Sequence, residues 1–263
     1  MTLPLSTGGR RYGFLPSPVD NRDYGLSSFA RYLTVGHAPG GSVDLEPSCG
    51  PVKDQKELGA CTAFAGTGLR EFLARKYQSQ DPVLSPLYLY YKERELDGDV
   101  GQGDTGSFGR TAVKALNQFG VCLETQDAYV YFNFQIEPTP EQVTEALVWK
   151  SGAYHALGNV ADMRSCLASG YAFCLGFSVF ESFESKWPDG VTMPVPNQSS
   201  EQVLGGHEVL CIGYDDSREA LKIRNSWGPD FGDAGNFWMP YSVAANPDVV
   251  NEAWIAHLGH AWA

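Results

Sequence analysis

A cysteine, a glutamine, a histidine and an asparagine stand in contexts that would let them act together. Cys61 lies in Gly59-Ala60-Cys61-Thr62-Ala63, at the mouth of a run with helical spacing and six residues after Gln55. A thiol attacks as its thiolate, which a helix N-terminus and a neighbouring imidazolium both favour. Far downstream, His207 follows Gly205-Gly206 and opens a strand-like run, which would present its ring at a sheet edge. Asn225 ends another apolar run and precedes Ser226-Trp227-Gly228. Its amide oxygen could hold the second ring nitrogen of a histidine while the indole keeps water away. The Gln55 amide, with the Cys61 backbone N–H, would bind the oxyanion formed when a carbonyl is attacked. The chemistry these residue types describe is acyl transfer through a thioester.

Other candidates are weaker. Cys122, Cys166, Cys174 and Cys211 sit in apolar surroundings, where free cysteine behaves as a small buried hydrophobe, and Cys49 lies in a Pro/Gly-rich stretch that assigns it no role. His37, His155, His257 and His260 lack the glycine-then-strand context of His207. His207-Glu-Val-Leu-Cys211 misses the HExxH pattern by its last residue, and the cysteines show no paired CxxC spacing, so no metal is expected. Gly101-Gln-Gly-Asp-Thr-Gly106 fits GxGxxG, yet it follows a polar stretch and not a buried strand, which disfavours a dinucleotide. Those glycines better suit an open loop whose backbone pairs with an extended peptide.

The elements that must position these residues change character along the chain. Residues 1 to about 42 are rich in Gly, Pro and Ser with Tyr12, Phe14, Tyr24, Phe29 and Tyr32 interspersed, and read as an irregular arm held by aromatic anchors. From Cys61 to about Gln78 the spacing of Phe64, Leu69, Phe72 and Leu73, with charges at Arg70, Glu71, Arg75 and Lys76, predicts a helix with one buried face. Ser85-Pro86 gives an N-cap and first-turn proline to a second helix, and Ser107 to Phe119 predicts a third, ending against Gly120. Short helices are expected over Pro140–Trp149 and Asp162–Ala168. Strands are expected at Tyr171–Phe180, Val209–Tyr214, Ala220–Arg224 and Asn236–Met239, the middle two as a hairpin. A helical lobe followed by a sheet lobe is an α+β arrangement, with the substrate cleft at the seam.

In its motifs the chain resembles the papain-like cysteine peptidases, and more closely their bacterial branch with an N-terminal arm. Val43-Asp44-Leu45, Pro51-Val-Lys-Asp-Gln55, Gly59-Ala-Cys61, Leu84-Ser85-Pro86, Asp104-Thr-Gly106, Gly206-His207, Gly213-Tyr214 and Asn225-Ser-Trp-Gly228 appear in the family's order. The resemblance implies a two-lobed fold with a helical left lobe, a β-barrel-like right lobe and the active site between them. It implies an arm over 1–42 and a peptidase domain over 43–263, the helical lobe spanning about 50–130 and the β-rich lobe about 131–263. Cys61 and His207 become the catalytic pair, Asn225 the orienting residue and Gln55 the oxyanion donor. Gly106, Ser107, Gly206 and Trp227 fall to substrate binding, with Gly106 pairing with substrate backbone and Trp227 shielding the His–Asn contact. Two departures stand out: Leu58 replaces a cysteine the family uses in a disulfide, and Thr62 stands where a tryptophan usually follows the nucleophile.

The expected activity is therefore hydrolysis of a polypeptide by a thiol protease that needs no cofactor. The competing readings are an acyl-transferring ligase or cyclase on the same site, and a peptide-binding module without turnover. A formal net charge of −12 with scattered Lys and Arg argues against nucleic acid or an anionic membrane as partner. At 43% hydrophobic and 19% charged residues the chain is expected to fold, and its start shows no secretory pattern, which points to the cytoplasm. The arm is expected to lie across the lobes, either blocking the cleft or bracing it.

Overall fold

A computed structural model describes residues 9–29, 33 and 40–258. His37 and His260, and Tyr32 of the arm, fall outside them. The arm contributes a two-residue strand, β1 (Phe14–Leu15), and a single helical turn, α1 (Leu26–Phe29). Its anchors divide: Tyr12, Phe14 and Phe29 are buried, whereas Tyr24 is exposed. The chain then adds β2 (Ser42–Asp44) before the helices α2 (Cys61–Gln78) and α3 (Pro86–Asp97), a two-residue strand β3 (Ser107–Phe108), and α4 (Gly109–Gln118).

The second helix starts where its cap predicts: Ser85 Oγ accepts the Tyr88 N–H at 3.0 Å, Pro86 occupies the first turn, and Gly98 closes the helix in the left-handed region. The third begins two residues later than its sequence suggests. Ser107 and Phe108 are extended because Ser107 N–H donates to the arm carbonyl of Gly13 at 2.9 Å, and β3 pairs in parallel with β1.

Helix α2 departs from the expected single buried face. Cys61–Thr67 and Leu69–Ala74 are all buried, because the helix lies between two apolar clusters. Ala65, Leu69, Phe72 and Leu73 join the large cluster on the sheet, while Ala63, Phe64 and Ala74 join Leu87, Leu89, Leu116 and Trp149 in the helical one. Arg70 and Glu71 look like solvent-facing charges in the sequence but are buried with partners. Arg70 Nε donates to the Trp149 and Lys150 carbonyls at 3.1 Å each, and Glu71 Oε1 accepts from Lys53 Nζ at 2.6 Å and Leu84 N–H at 2.7 Å. A buried charge is tolerated only with such partners.

Beyond the helices come α5 (Pro140–Ala146), β4 (Tyr154–Ala156), α6 (Val160–Ala168), β5 (Phe173–Phe180), β6 (Val203–Asp215), β7 (Ala220–Arg224), β8 (Asn236–Pro240), α7 (Tyr241–Ala244) and β9 (Val250–Ala256). Thr139 caps α5 through a reciprocal bond pair with Gln142, and Asn159 caps α6. The sheet runs β4-β9-β5-β6-β7-β8, with β2 added to the far end of β6, and every pairing in it is antiparallel. The fold is α+β and two-lobed, with helices against a mainly antiparallel sheet. The barrel-like right lobe needs correction: the described strands form an open sheet, with β4 and β8 as its unjoined ends. The expected hairpin is β6–β7, closed by Asp215 opposite Ala220. Strands β1, β2, β3, β4 and β9 lie outside the expected strands, and of these only β9 is long. No helix among the described residues is long and apolar enough to cross a membrane.

Candidate active site

Cys61 is the first residue of α2, and Ala60 before it offers no side chain to cap the helix, so the first-turn amides stay available. The turn into the helix is held from outside. Gly59 N–H donates to both Asp104 carboxylate oxygens at 3.2 and 3.0 Å, and the same carboxylate accepts from Tyr90 Oη at 2.6 Å and Arg11 at 3.2 Å. Asp104 is 2% exposed and stands just before Gly106. The motif that names it gave no hint that it fixes the cysteine turn.

His207 sits on β6, opposite Phe177 of β5, and Asn225 follows the end of β7, its backbone N–H bonded to Gly235 O at 3.0 Å. The sheet therefore delivers both to one place. Asn225 Oδ1 accepts from Ser226 N–H at 2.8 Å and lies 2.8 Å from His207 Nε2. An oxygen can only accept, so Nε2 carries the ring proton and donates it here. That leaves Nδ1 as the basic nitrogen, buried and without a protein partner. Trp227 lies with its ring centroid 5.1 Å from the imidazole, tilted by 31°, and Phe177 adds an edge at 5.8 Å.

Backbone from both the sheet and the arm reaches the thiol. The Glu208 N–H, next to His207 in the chain, is aimed at the Cys61 sulfur, and so is the N–H of Gly13 from the arm. Burial nevertheless dominates: it pushes the Cys61 thiol up to about 12, beyond what the two amides offset, and drives His207 down to about 4, with the Asn225 bond acting the other way. Both groups are accordingly neutral in this conformation. Gln55 is wholly buried, with Oε1 accepting from Ser226 Oγ at 2.6 Å and Nε2 donating to Leu58 O at 2.9 Å and to the arm carbonyl of Arg11 at 3.3 Å.

The four residues assigned to substrate binding also touch the arm. Gly13 bridges in parallel to Gly206, and its carbonyl accepts from Ser107. A Cβ on Gly106, whose φ is +75°, would lie 2.0 Å from Gly13 O. Arg10 stacks over Trp227 at 5.0 Å and donates to its carbonyl at 3.3 Å, while Tyr12 sets its ring 6.1 Å from both His207 and Trp227. Elsewhere, His155 and His257 stack on each other at 5.9 Å beside Phe29, and Cys122, Cys166, Cys174 and Cys211 are buried. Cys49 is half-buried, and its thiol is pushed up to about 11 by burial. Sequence reasoning missed the carboxyls of Glu93, Glu208 and Glu252, each pushed up chiefly by burial. Two of these are strand residues whose common face emerges only from sheet register.

A thiol at a helix mouth beside an asparagine-held imidazole defines a cysteine peptidase, and the comparisons agree. The model of the papain family cysteine proteases matches residues 42–257. An uncharacterized peptidase C1-like protein of Acanthamoeba polyphaga mimivirus is 32% identical, over 96% of this chain and 88% of that protein. The crystal structure of xylellain, a cysteine protease from Xylella fastidiosa, superposes with a TM-score of 0.86 at 31% identity, covering 94% of this chain and 96% of that one. Recombinant stem bromelain precursor shares the fold at 18% identity, with a TM-score of 0.67 over 94% of this chain and 77% of that one. The chain belongs to the papain family of cysteine proteases. It is a peptidase, a hydrolase acting through cysteine.

Proposed function

We propose that Cys61 is the nucleophile of this peptidase, that His207 carries its proton, that Asn225 orients the imidazole and that Gln55 with the Cys61 N–H receives the oxyanion. The observation that carries this is the His207–Asn225 bond, which commits Nε2 and leaves Nδ1 without a partner, one residue before Glu208, whose backbone reaches Cys61. Nδ1 takes the thiol proton, and the sulfur lone pair attacks the peptide carbonyl carbon, sending the π electrons to oxygen. Collapse of that oxyanion breaks the C–N bond, and the amine leaves with the proton from Nδ1. Water then attacks the thioester, giving its proton to Nδ1, and the acid departs as the thiolate returns. Substrate backbone would pair with Gly106, Ser107 and Gly206, the edges where Gly13 and Phe14 now lie.

In the same reading residues 10–15 are a built-in blocker. They occupy the proposed peptide track, place Gly13 against the thiol and keep Cys61 and His207 neutral by excluding water. Residues 43–263 would then be the catalytic unit. The six free thiols suit the cytoplasm, where a reducing environment keeps them so.

Cys61→Ala should abolish peptide hydrolysis with the fold retained, and product masses from the wild-type chain should show water, not an amine, as acceptor. Full turnover by Cys61→Ala, or amine adducts as the main product, would overturn the assignment.

A further inference from the structure

Two segments that the proposed chemistry uses are joined behind the cleft by one side chain of α3. Tyr90 is wholly buried, and its hydroxyl accepts the Gly106 N–H at 3.0 Å and donates to Asp104 Oδ1 at 2.6 Å. A phenol has one proton to give, so the two bonds run in one direction, from Gly106 into the hydroxyl and from the hydroxyl into the carboxylate. Burial and the neighbouring Asp104 carboxylate both keep that proton on the Tyr90 oxygen. The carboxylate in turn receives the Gly59 N–H on both of its oxygens, at 3.2 and 3.0 Å. A chain of hydrogen bonds thus runs from Gly106 through Tyr90 and Asp104 to Gly59.

Both ends of the chain carry backbone that the reaction needs. Gly59 stands two residues before Cys61, and α2 begins at Cys61 with no side-chain cap to hold that turn. At the other end Gly106 has a φ of +75°, and the peptide plane after it presents the Ser107 N–H to the arm carbonyl of Gly13 at 2.9 Å. A glycine has no side chain to restrain its two dihedrals, so the bond to its N–H restrains the plane from which Ser107 is aimed. Asp97, seven residues after Tyr90 on α3, accepts from the Ser107 hydroxyl at 2.6 Å, but its bonds stay within residues 107–111 and do not reach the cysteine turn. Arg11 of the arm also touches Asp104, at 3.2 Å, yet the bonds from Gly59, Tyr90 and Gly106 lie outside the arm and do not depend on it.

We infer that Tyr90 is a positioning residue for hydrolysis: through Asp104 it sets, as one unit, the backbone donor that meets the substrate at Ser107 and the one that meets the oxyanion at Cys61. This rests on the assignment of the reacting residues proposed above. Tyr90 acts through these bonds and not by contact with the reacting atoms. Donors in a preorganised site lose much of their value when displaced by about 1 Å, and here one hydroxyl governs two of them.

The test divides kcat/KM on one fluorogenic peptide amide by the rate constant for iodoacetamide alkylation of Cys61, both measured on the full-length chain well below its melting temperature. Alkylation displaces iodide and builds no oxyanion. Both quantities carry the opening of the arm and the ionisation of the thiol, and the quotient cancels them. Tyr90→Phe, which removes only the hydroxyl, should lower the quotient about tenfold or more. Asp104→Asn, whose amide offers one acceptor oxygen in place of two, should lower it in the same way. The double variant should fall little below the lower single, because the two losses lie on one chain. A Tyr90→Phe quotient within about twofold of wild type, whatever its melting temperature, makes the residue structural only and overturns the inference. Losses that multiply in the double variant overturn it as well. If Tyr90→Phe does not fold, the Asp104→Asn quotient decides by the same limits. Peptide turnover that persists in Cys61→Ala would instead sink the underlying assignment, a result the quotient cannot imitate.

Discussion

Replacing Gly13 by valine should uncover the thiol. A Cβ built on Gly13 would lie 1.8 Å from Gly59 O and 2.4 Å from Gly59 C. Both are backbone atoms of a turn pinned to Asp104, so the clash cannot be relieved by a rotamer change, and the arm must lift by about 1 Å or more to reach ordinary contact. Forced overpacking of this kind costs about 1–3 kcal/mol, which raises the uncovered population by about fivefold to about 150-fold. With the Cys61 thiol at about 12 when covered, on the order of one covered molecule in ten thousand or fewer is ionised near neutral pH, so reaction flows through the uncovered form. The assay is iodoacetamide alkylation at pH 7.5, mapped to Cys61 by peptide mass, with hydrolysis measured in parallel. Val19→Ala, at an arm residue 96% exposed, serves as control and should behave as wild type. Equal alkylation rates for Gly13→Val and wild type would refute the reasoning that the arm keeps the thiol covered.

Two further predictions follow from the same contacts. Burial holds His207 at about 4, below the ordinary value near 6.5, so the folded form binds fewer protons than the unfolded chain in that window. Its contribution to stability is present above pH 6.5 and is lost as pH falls toward 4. The melting temperature of wild type relative to His207→Gln, a difference that cancels the other titrating groups, should fall between pH 7 and 4.5, and a flat difference would contradict the burial. Asp104→Ala strips acceptors from the Gly59 N–H and the Tyr90 hydroxyl and should cost about 3 kcal/mol in chemical denaturation. A loss under about 0.5 kcal/mol would show that the cysteine turn holds itself.

The chain shows its chemistry more plainly than its packing. Cys61 and Asn225 are legible because they sit at element boundaries, Gln55 by its spacing from Cys61 and His207 by the glycine pair before it, although His207 lies inside β6 and does not open it; Ser85-Pro86 announces its helix by capping chemistry alone. What escaped depends on contacts between distant segments. Arg70 and Glu71 resemble surface charges until Trp149, Lys53 and Leu84 supply their partners. Ser107 and Phe108 follow the helical pattern of α4 but are drawn into an extended pair by Gly13 and Phe14, about ninety residues earlier. Glu208 and Glu252 share a pocket only because β5 separates them in register, and no periodicity in either strand reveals that. The open sheet, expected as a barrel, has the same origin: strand pairing at β4 and β8 is not encoded locally.

The account stands most directly on whether the imidazole at 207 activates the sulfur at 61. Intact-mass measurement of the full-length chain with a peptidyl epoxide, followed over time, reads this in one experiment. A single adduct on Cys61 is predicted, forming at least about a hundredfold more slowly in His207→Ala, in line with the usual contribution of a positioned base. Labelling on another cysteine, or a rate indifferent to His207, would contradict it.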